Sequence, residues 1–404
     1  MRRNKRRCRA FHQAIIFTPF RQRLQRFQGW LYEYTMTCLD QIFAAQNSDL
    51  QVRLRHWLDA CLADAGFEFV ARDKDFRLWD EVLVSSGHAP SLLTHSGLSF
   101  QQAVNASRVE RLVDLSGVLR PKGGRDGLVA WPLGLVWDEA GHSRFSTLGL
   151  DHMAPILAKS VAPKLLRRLL SVMHDVTENM SRTLGVACVW SQAWGPRRAY
   201  DPWMTDQRAR GAPMRVRDEM VVDLRSPYSA IHAKFRKSYR PLVGVAQRHW
   251  KIEARTEVGE LMWERFHALH VAVAGRETRT AASWALQYKA IQNGDALLTT
   301  VEDADGELVG GAFFFLSRHE ASYAVAAYRR DLFDRPLGHG AQSVSIQKFQ
   351  ELGKSWYWLG SLPDAEHQPE PTEKEVQIAH FKKGFAMQLE PSFVLGPIPQ
   401  GTAT

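Results

Sequence analysis

Arg335-Pro-Leu-Gly338-His339-Gly340-Ala341 lies between two segments of opposite character. Ahead of it, Ala321 to Tyr328 is a short apolar run that reads as a strand, and behind it Gln342 to Leu352 reads as a helix. A strand, a glycine-rich turn and a helix start together form an anion cradle. Glycines let the backbone approach a phosphate closely, while free N–H groups and the helix dipole favour negative charge there. Arg335 adds a guanidinium that can donate two parallel hydrogen bonds. The plainer alternative is that Gly338 and Gly340 only cap a turn.

Outward from this turn, the order is Ala296 to Val301, a turn at Asp303-Ala-Asp-Gly306, Leu308 to Leu316, Ala321 to Tyr328, a helix, and Ser355 to Leu359. A similar order occurs earlier: Gly127 to Val136, a turn from Asp138 to Gly141, Arg144 to Leu150, a helix from Pro155 to Thr183, and the apolar strand Gly185 to Trp190. The chain therefore reads as a duplicated mixed α/β fold with α+β sheets. Its internal boundary falls in the polar stretch Thr205 to Arg217, before the strand Glu219 to Leu224. A helix then opens at Ser226 and Pro227, with Lys234, Arg236, Lys237 and Arg240 opposite Ile231, Phe235 and Leu242. That basic face is either solvated or anion-binding, and Pro241 is expected to kink or end the helix. Residues 11–65 read as helical, with Leu31, Tyr34, Cys38 and Ile42, then Leu50, Leu54, Leu58 and Leu62, at helical spacing. Three units are expected: an N-terminal helical extension over 1–66, a first module over 67–217 and a second over 218–404.

At 404 residues, with 45% apolar and 24% charged residues, the composition is that of a soluble globular protein of about two domains. The net charge of +9 resides in residues 1–30, which carry nine Lys or Arg and no acid. That segment reads as a solvated tail, which could precede the natural start; touching RNA or an anionic membrane surface is its alternative use. No apolar run approaches the roughly 18 to 20 residues that cross a bilayer, and no secretory signal is recognisable. Cys8, Cys38, Cys61 and Cys188 form no C-x-x-C pair, so reduced thiols in the cytoplasm are expected and a metal is not. H-E-x-x-H and G-x-S-x-G are also missing, which argues against metallohydrolase and serine-hydrolase chemistry.

The turn at Arg335 resembles the R-x-x-G-x-G/A loop by which GNAT enzymes hold the pyrophosphate of coenzyme A. A second resemblance, over roughly Phe76 to Pro391, is to FemAB-like proteins, which are built from two GNAT modules. It is carried by Val221-Val-Asp-Leu224 with Phe235-Arg-Lys-Ser-Tyr-Arg240, by Gly275-Arg276-Glu-Thr-Arg279, by Trp356-Tyr-Trp-Leu-Gly360, and by Ile378-Ala-His-Phe381-Lys382-Lys-Gly-Phe385. What the resemblance implies is an acyltransferase in which an amine attacks an acyl carbonyl directly. Arg335, Gly338, His339, Gly340 and Ala341 would hold an acyl-coenzyme A donor, while Arg276, Arg279, Tyr239 and Arg240 would hold substrate. Phe381 and Lys382 would stand at the reaction centre. The alternatives are an aminoacyl-tRNA donor used on cell-wall precursors, and a pair of modules that binds an envelope sugar or RNA without catalysis.

The chemistry needs a donor for the developing oxyanion and a route for the amine proton. Lys382 fits the first need. It also sits in the last turn of a helix opened by the capping box Pro371-Thr372-Glu-Lys-Glu375, where a cation complements the dipole. His339, Glu366, His367 and His380 are candidate bases, and Tyr357 is a candidate proton donor to a leaving thiolate. Trp131, Trp137, Trp190, Trp194, Trp203, Trp263 and Trp284 could line a groove, although most are expected in the core.

Overall fold

Leu50, Leu54, Leu58 and Leu62 form one stripe of α1 (Asn47–Asp64), and all four are buried. The four-residue spacing marks a helix as expected, but the helix is no appendage. Its stripe packs in one core with Phe67, Val113, Leu119, Trp131, Leu169 and Met173, and each leucine so buried stabilises the fold by roughly 1.5–3 kcal/mol. The computed structural model describes residues 47–159, 161–196, 201–363 and 371–398. The basic segment, Cys8, Leu31, Tyr34, Cys38, Ile42, Glu366 and His367 lie outside the described residues.

The first half continues through β1 (Phe67–Ala71), α2 (Phe76–Ser85), a 3-10 turn at Ser91–Leu93 and α3 (His95–Asn105). Six short strands follow: β2 (Arg111–Asp114), β3 (Gly117–Pro121), β4 (Val129–Trp131), β5 (Gly134–Trp137), β6 (Ser143–Phe145) and β7 (Ile156–Leu157). The run from Gly127 to Val136, expected as one strand, is two. Pro132 has no N–H to offer a ladder, and the chain breaks there, so that β4 joins the sheet β1-β3-β4-β7 while β5 joins β2-β5-β6. β5 and β6 do form the expected hairpin. The helix expected from Pro155 starts later, as α4 (Pro163–Leu184), because Ile156 and Leu157 pair with β4. Of the expected strand Gly185 to Trp190, only Trp190 enters a ladder, in β8 (Trp190–Ser191).

After α5 (Pro202–Ala209), β9 (Met214–Asp223) starts ahead of Glu219 and runs through the expected boundary. The basic helix is also two: α6 (Tyr228–Lys234) and α7 (Tyr239–His249). Pro241 lies in the first turn of α7, where no intrahelical N–H bond is forfeited, so the kink expected there does not occur. The rest is β10 (Lys251–Arg255), α8 (Glu260–Ala274), α9 (Ala281–Gln292), β11 (Ala296–Glu302), β12 (Leu308–Leu316), β13 (Glu320–Tyr328), α10 (Leu337–Glu351), β14 (Trp356–Ser361), α11 (Glu373–Lys383) and β15 (Gln388–Leu395).

These strands build one eight-stranded sheet in the order β10-β11-β12-β13-β14-β9-β15-β8. β12 is buried along its whole length because both faces are covered. Phe314 packs with Ile346 and Phe349 of α10, whereas Phe313 and Phe315 pack with Trp263, Phe266 and Trp284 on the other side. β13 and β14 run parallel and share only three residue pairs, Glu320 with Trp356, Ala321 with Tyr357 and Ser322 with Trp358, before they part. The two halves are joined across a seam: β8 pairs with β15, and the buried Glu320 accepts hydrogen bonds from the N–H and hydroxyl of Ser91 while facing His88 Nε2 at 2.9 Å.

Leu58→Ala removes a fully buried side chain and is expected to cost about 2–5 kcal/mol in a urea denaturation. A loss near zero would mean that α1 is only an appendage.

Candidate functional site

The glycine turn is not a separate loop. α10 begins at Leu337, so Gly338, His339 and Gly340 form its first turn rather than preceding a helix at Gln342. No side chain caps this helix start, which leaves the first-turn N–H groups of Gly338 and His339 and the positive end of the dipole open to an anion. Arg335 stands beside them, half exposed, with Nη1 2.8 Å from His249 Nε2 and its guanidinium over Trp250. The two glycines do different work. A Cβ on Gly340 would come within 2.4 Å of Ile252 and 2.7 Å of Ala246, so this glycine lets α10 close on α7 and β10. A Cβ on Gly338 would meet Phe381 at 3.0 Å and Tyr328 at 3.5 Å, near the end of β13. Ala341 is buried in the small core beneath.

Further back along β13, a β-bulge where Phe313 pairs with Val325 and Phe314 with Tyr323 brings Tyr323 onto the same face as Tyr328, and its ring lies under the ammonium of Lys382, whose Nζ is 4.6 Å from the ring centroid. Lys382 is carried by the last turn of α11, and the helix starts with the expected capping box, in which Thr372 and Glu375 satisfy each other's backbone N–H groups. Thr372, Glu375, Ile378 and Lys382 present one face of α11 to a cleft of about 850 Å³ between the halves. Burial holds the Lys382 amine down to about 8. Gly360, at φ 110° beside a β-bulge, leaves room there: a Cβ would lie 3.7 Å from Nζ.

Opposite Lys382, the cleft is lined by Leu92, Leu150, Met153 and Trp194 from the first half and by Arg217, Glu219 and Trp358 from the sheet. Glu219 is fully buried and fully satisfied. One carboxylate oxygen accepts from Arg217 Nε and Ser392, and the other from Trp358 Nε1 and Ser361. Arg217 in turn donates to Asp151 at 2.9 Å. Of these residues only Trp194, and Trp358 within the quoted Trp-rich segment, carried a signal in the sequence; Glu219 entered only as the first residue of an expected strand.

The other candidates are dispersed. His339 is packed edge-on by Tyr239 at 4.5 Å and Phe381 at 5.4 Å, and burial, with the Arg236 charge behind it, holds its imidazole down to about 4. It is a neutral wall at physiological pH. His380 is exposed and taken up by Arg236, which also donates to the Tyr239 hydroxyl and the His380 carbonyl. Arg240 donates to the Phe235 carbonyl. Tyr357 is fully buried, donates to Gln342, and has its phenol pushed well up by burial, so it stands outside the cleft lining. Arg276 is exposed in the α8–α9 connection, while Arg279 faces His270 at 3.0 Å and Trp284; neither lines the cleft with Lys382. Trp131 and Trp203 are core residues, as are Trp190, Trp263 and Trp284. Among the described residues no group of three or more His, Cys, Asp or Glu is placed to hold a metal ion, and no helix is long and apolar enough to cross a membrane.

No protein family model and no curated protein matches the chain. Solved structures do share its fold. FemX superposes with a TM-score of 0.55 over 80% of this chain and 94% of its own, at 12% identity. A conserved protein of unknown function from Bacteroides thetaiotaomicron superposes at 0.51 over 81% of this chain and 99% of its own, at 8% identity. The FemAB-like fold expected from the sequence is the fold observed, as the likeness to FemX shows.

An amine depressed from its unfolded value to about 8 makes the unfolded chain bind more protons than the folded one between those two values. The cost of burying Lys382 is thus full below about pH 8 and is relieved as pH rises towards the unfolded value. Lys382→Met is expected to melt a few degrees above the wild type at pH 7, with the gap closing by about pH 10. A variant that melts below the wild type at pH 7 would contradict the strain assigned to this side chain.

Proposed function

We propose that this protein is an N-acyltransferase that moves an acyl group from acyl-coenzyme A to a primary amine of a sugar, amino acid or peptide, by direct attack. The observation that carries the reading is a single one: a half-buried ammonium, Lys382, opens on a cleft large enough for an acceptor, and on the same strand face as an uncapped helix start. Tyr323 and Tyr328 mark the two ends of that face, opposite Phe314 and Gly310 of β12, about 13 Å apart at about 3.3 Å per residue. This suits the extended arm that joins a pyrophosphate to a thioester. The first-turn N–H groups of Gly338 and His339, with Arg335, would take the pyrophosphate, while Gly340 and Ala341 keep the helix seated.

The donor supplies an activated thioester carbonyl. The acceptor nitrogen forms the new C–N bond with its lone pair, the carbonyl oxygen takes up negative charge, and the C–S bond breaks to release a thiolate. Lys382, in its charged form, stabilises that oxygen within a largely apolar cleft, where a fixed cation counts for more than it does in water. The amine proton leaves to water, since His339 and His380 are both engaged away from the cleft. Phe381 shapes the approach by packing against Gly338 and His339. An acyl-coenzyme A donor also implies work in the cytoplasm.

Coenzyme A is expected to raise the melting temperature of the wild type in a saturable way, and Arg335→Glu, a surface change, to abolish most of that rise. No rise in the wild type would remove the coenzyme A reading and favour an aminoacyl-tRNA donor, whose binding would fall steeply with salt. Because the charged amine is the working form, kcat is expected to fall as pH rises through about 8. The limb is expected to be missing in Lys382→Met, and a limb that persists in that variant would assign it to another group, such as the acceptor amine.

A further inference from the structure

Tyr323 follows Ser322, the last residue of β13 paired to β14. It is one of two large side chains on a strand otherwise made of Ala, Val, Ser and Glu. Phe314 meets its ring edge-on at 5.5 Å and fixes the face that it turns to Lys382. Burial pushes the phenol up, so no phenolate forms beside the ammonium at ordinary pH.

Among the described residues, no carboxylate lies within ion-pair distance of Lys382 Nζ. Each charged group that shares the cleft wall is engaged elsewhere. On β9, Arg217 holds Glu219 and Asp151. At the head of β13, Glu320 is taken by His88 and Ser91. On α11 itself, Glu375 closes the capping box with Thr372. Among the described residues, the face of the Tyr323 ring is what holds the cation. A ring face attracts an ammonium through its quadrupole, and the attraction grows when water is excluded.

We infer that Tyr323 is a positioning residue for the acyl transfer, its ring face keeping the Lys382 ammonium charged and fixed where β13 and β14 part. The inference rests on the N-acyltransferase reading for its place in the reaction, but the contact between ring and ammonium can be tested without any substrate. An aliphatic side chain at 323 would fill the same space and offer no quadrupole. Phenylalanine would keep the ring and lose only the hydroxyl. The two substitutions therefore separate the ring face from mere packing.

The experiment compares Tyr323→Leu and Tyr323→Phe with the wild type in two measurements, after cooperative melting has shown that each variant folds. In the first, an amine-specific reagent labels Lys382 across a pH series, read by peptide mass spectrometry. The midpoint of labelling is expected to fall by about one pH unit in Tyr323→Leu and to stay near the wild type in Tyr323→Phe. In the second, kcat with an acyl-coenzyme A donor is expected to fall about tenfold in Tyr323→Leu, with its alkaline limb moved to lower pH and KM for the donor little changed. Tyr323→Phe should recover both. An unmoved midpoint in Tyr323→Leu, or equal defects in the two variants, overturns the role given to the ring. A moved midpoint in a protein whose wild type transfers no acyl group overturns the acyltransferase reading and Tyr323's part in it, and leaves the contact standing.

Discussion

β13 and β14 are parallel neighbours in the middle of a sheet, and they hold together over only three residue pairs. Parallel strands need a crossover rather than a tight turn, and α10 is that crossover. Its uncapped start is therefore delivered beside the far end of β13. The strands diverge beyond Ser322 and Trp358, and the opening they leave receives side chains from α11. Lys382 comes to rest over Tyr323, while Phe381 comes to rest by Gly338. The helix start, the ammonium and the cleft are related to one another through this one departure from sheet pairing.

The charges around the cleft divide into two kinds. Glu219 and Arg217 are buried but saturated, with each oxygen of Glu219 accepting two hydrogen bonds, so they brace the wall at little net cost. Lys382 is braced by a ring face instead of a carboxylate, and among the described residues it keeps hydrogen-bonding capacity that is not used. An ammonium left without a carboxylate partner, beside a carboxylate whose oxygens are all used, is the pattern expected where a fold gives up stability for chemistry.

Local patterns were legible where one stretch of chain decides the outcome. The leucine stripe of α1 and the capping box of α11 each follow from neighbouring residues, and each is found; the strand and helix flanking Arg335 are found too, but with Gly338 and Gly340 inside the helix rather than ahead of it. Proline was misjudged because its effect depends on position. Pro132 breaks a strand that looked continuous, whereas Pro241 does nothing to a helix whose first turn it occupies. The cleft itself was beyond reach of the sequence, since Asp151, Trp194, Arg217, Glu320 and Lys382 come from five separate segments. Nor could the partial burial of Lys382 against Tyr323 be read from a helix end, where a lysine ordinarily reaches water.

The seam between the halves consists of backbone ladder and buried hydrogen bonds rather than a linker. β8 closes the edge of a sheet belonging otherwise to the second half, and Glu320 depends on Ser91 and His88 from the first. Separating the halves would bare a sheet edge and strand a buried carboxylate, so they have no low-energy way to swing apart. The walls of the cleft that the described residues form are accordingly a fixture rather than a jaw.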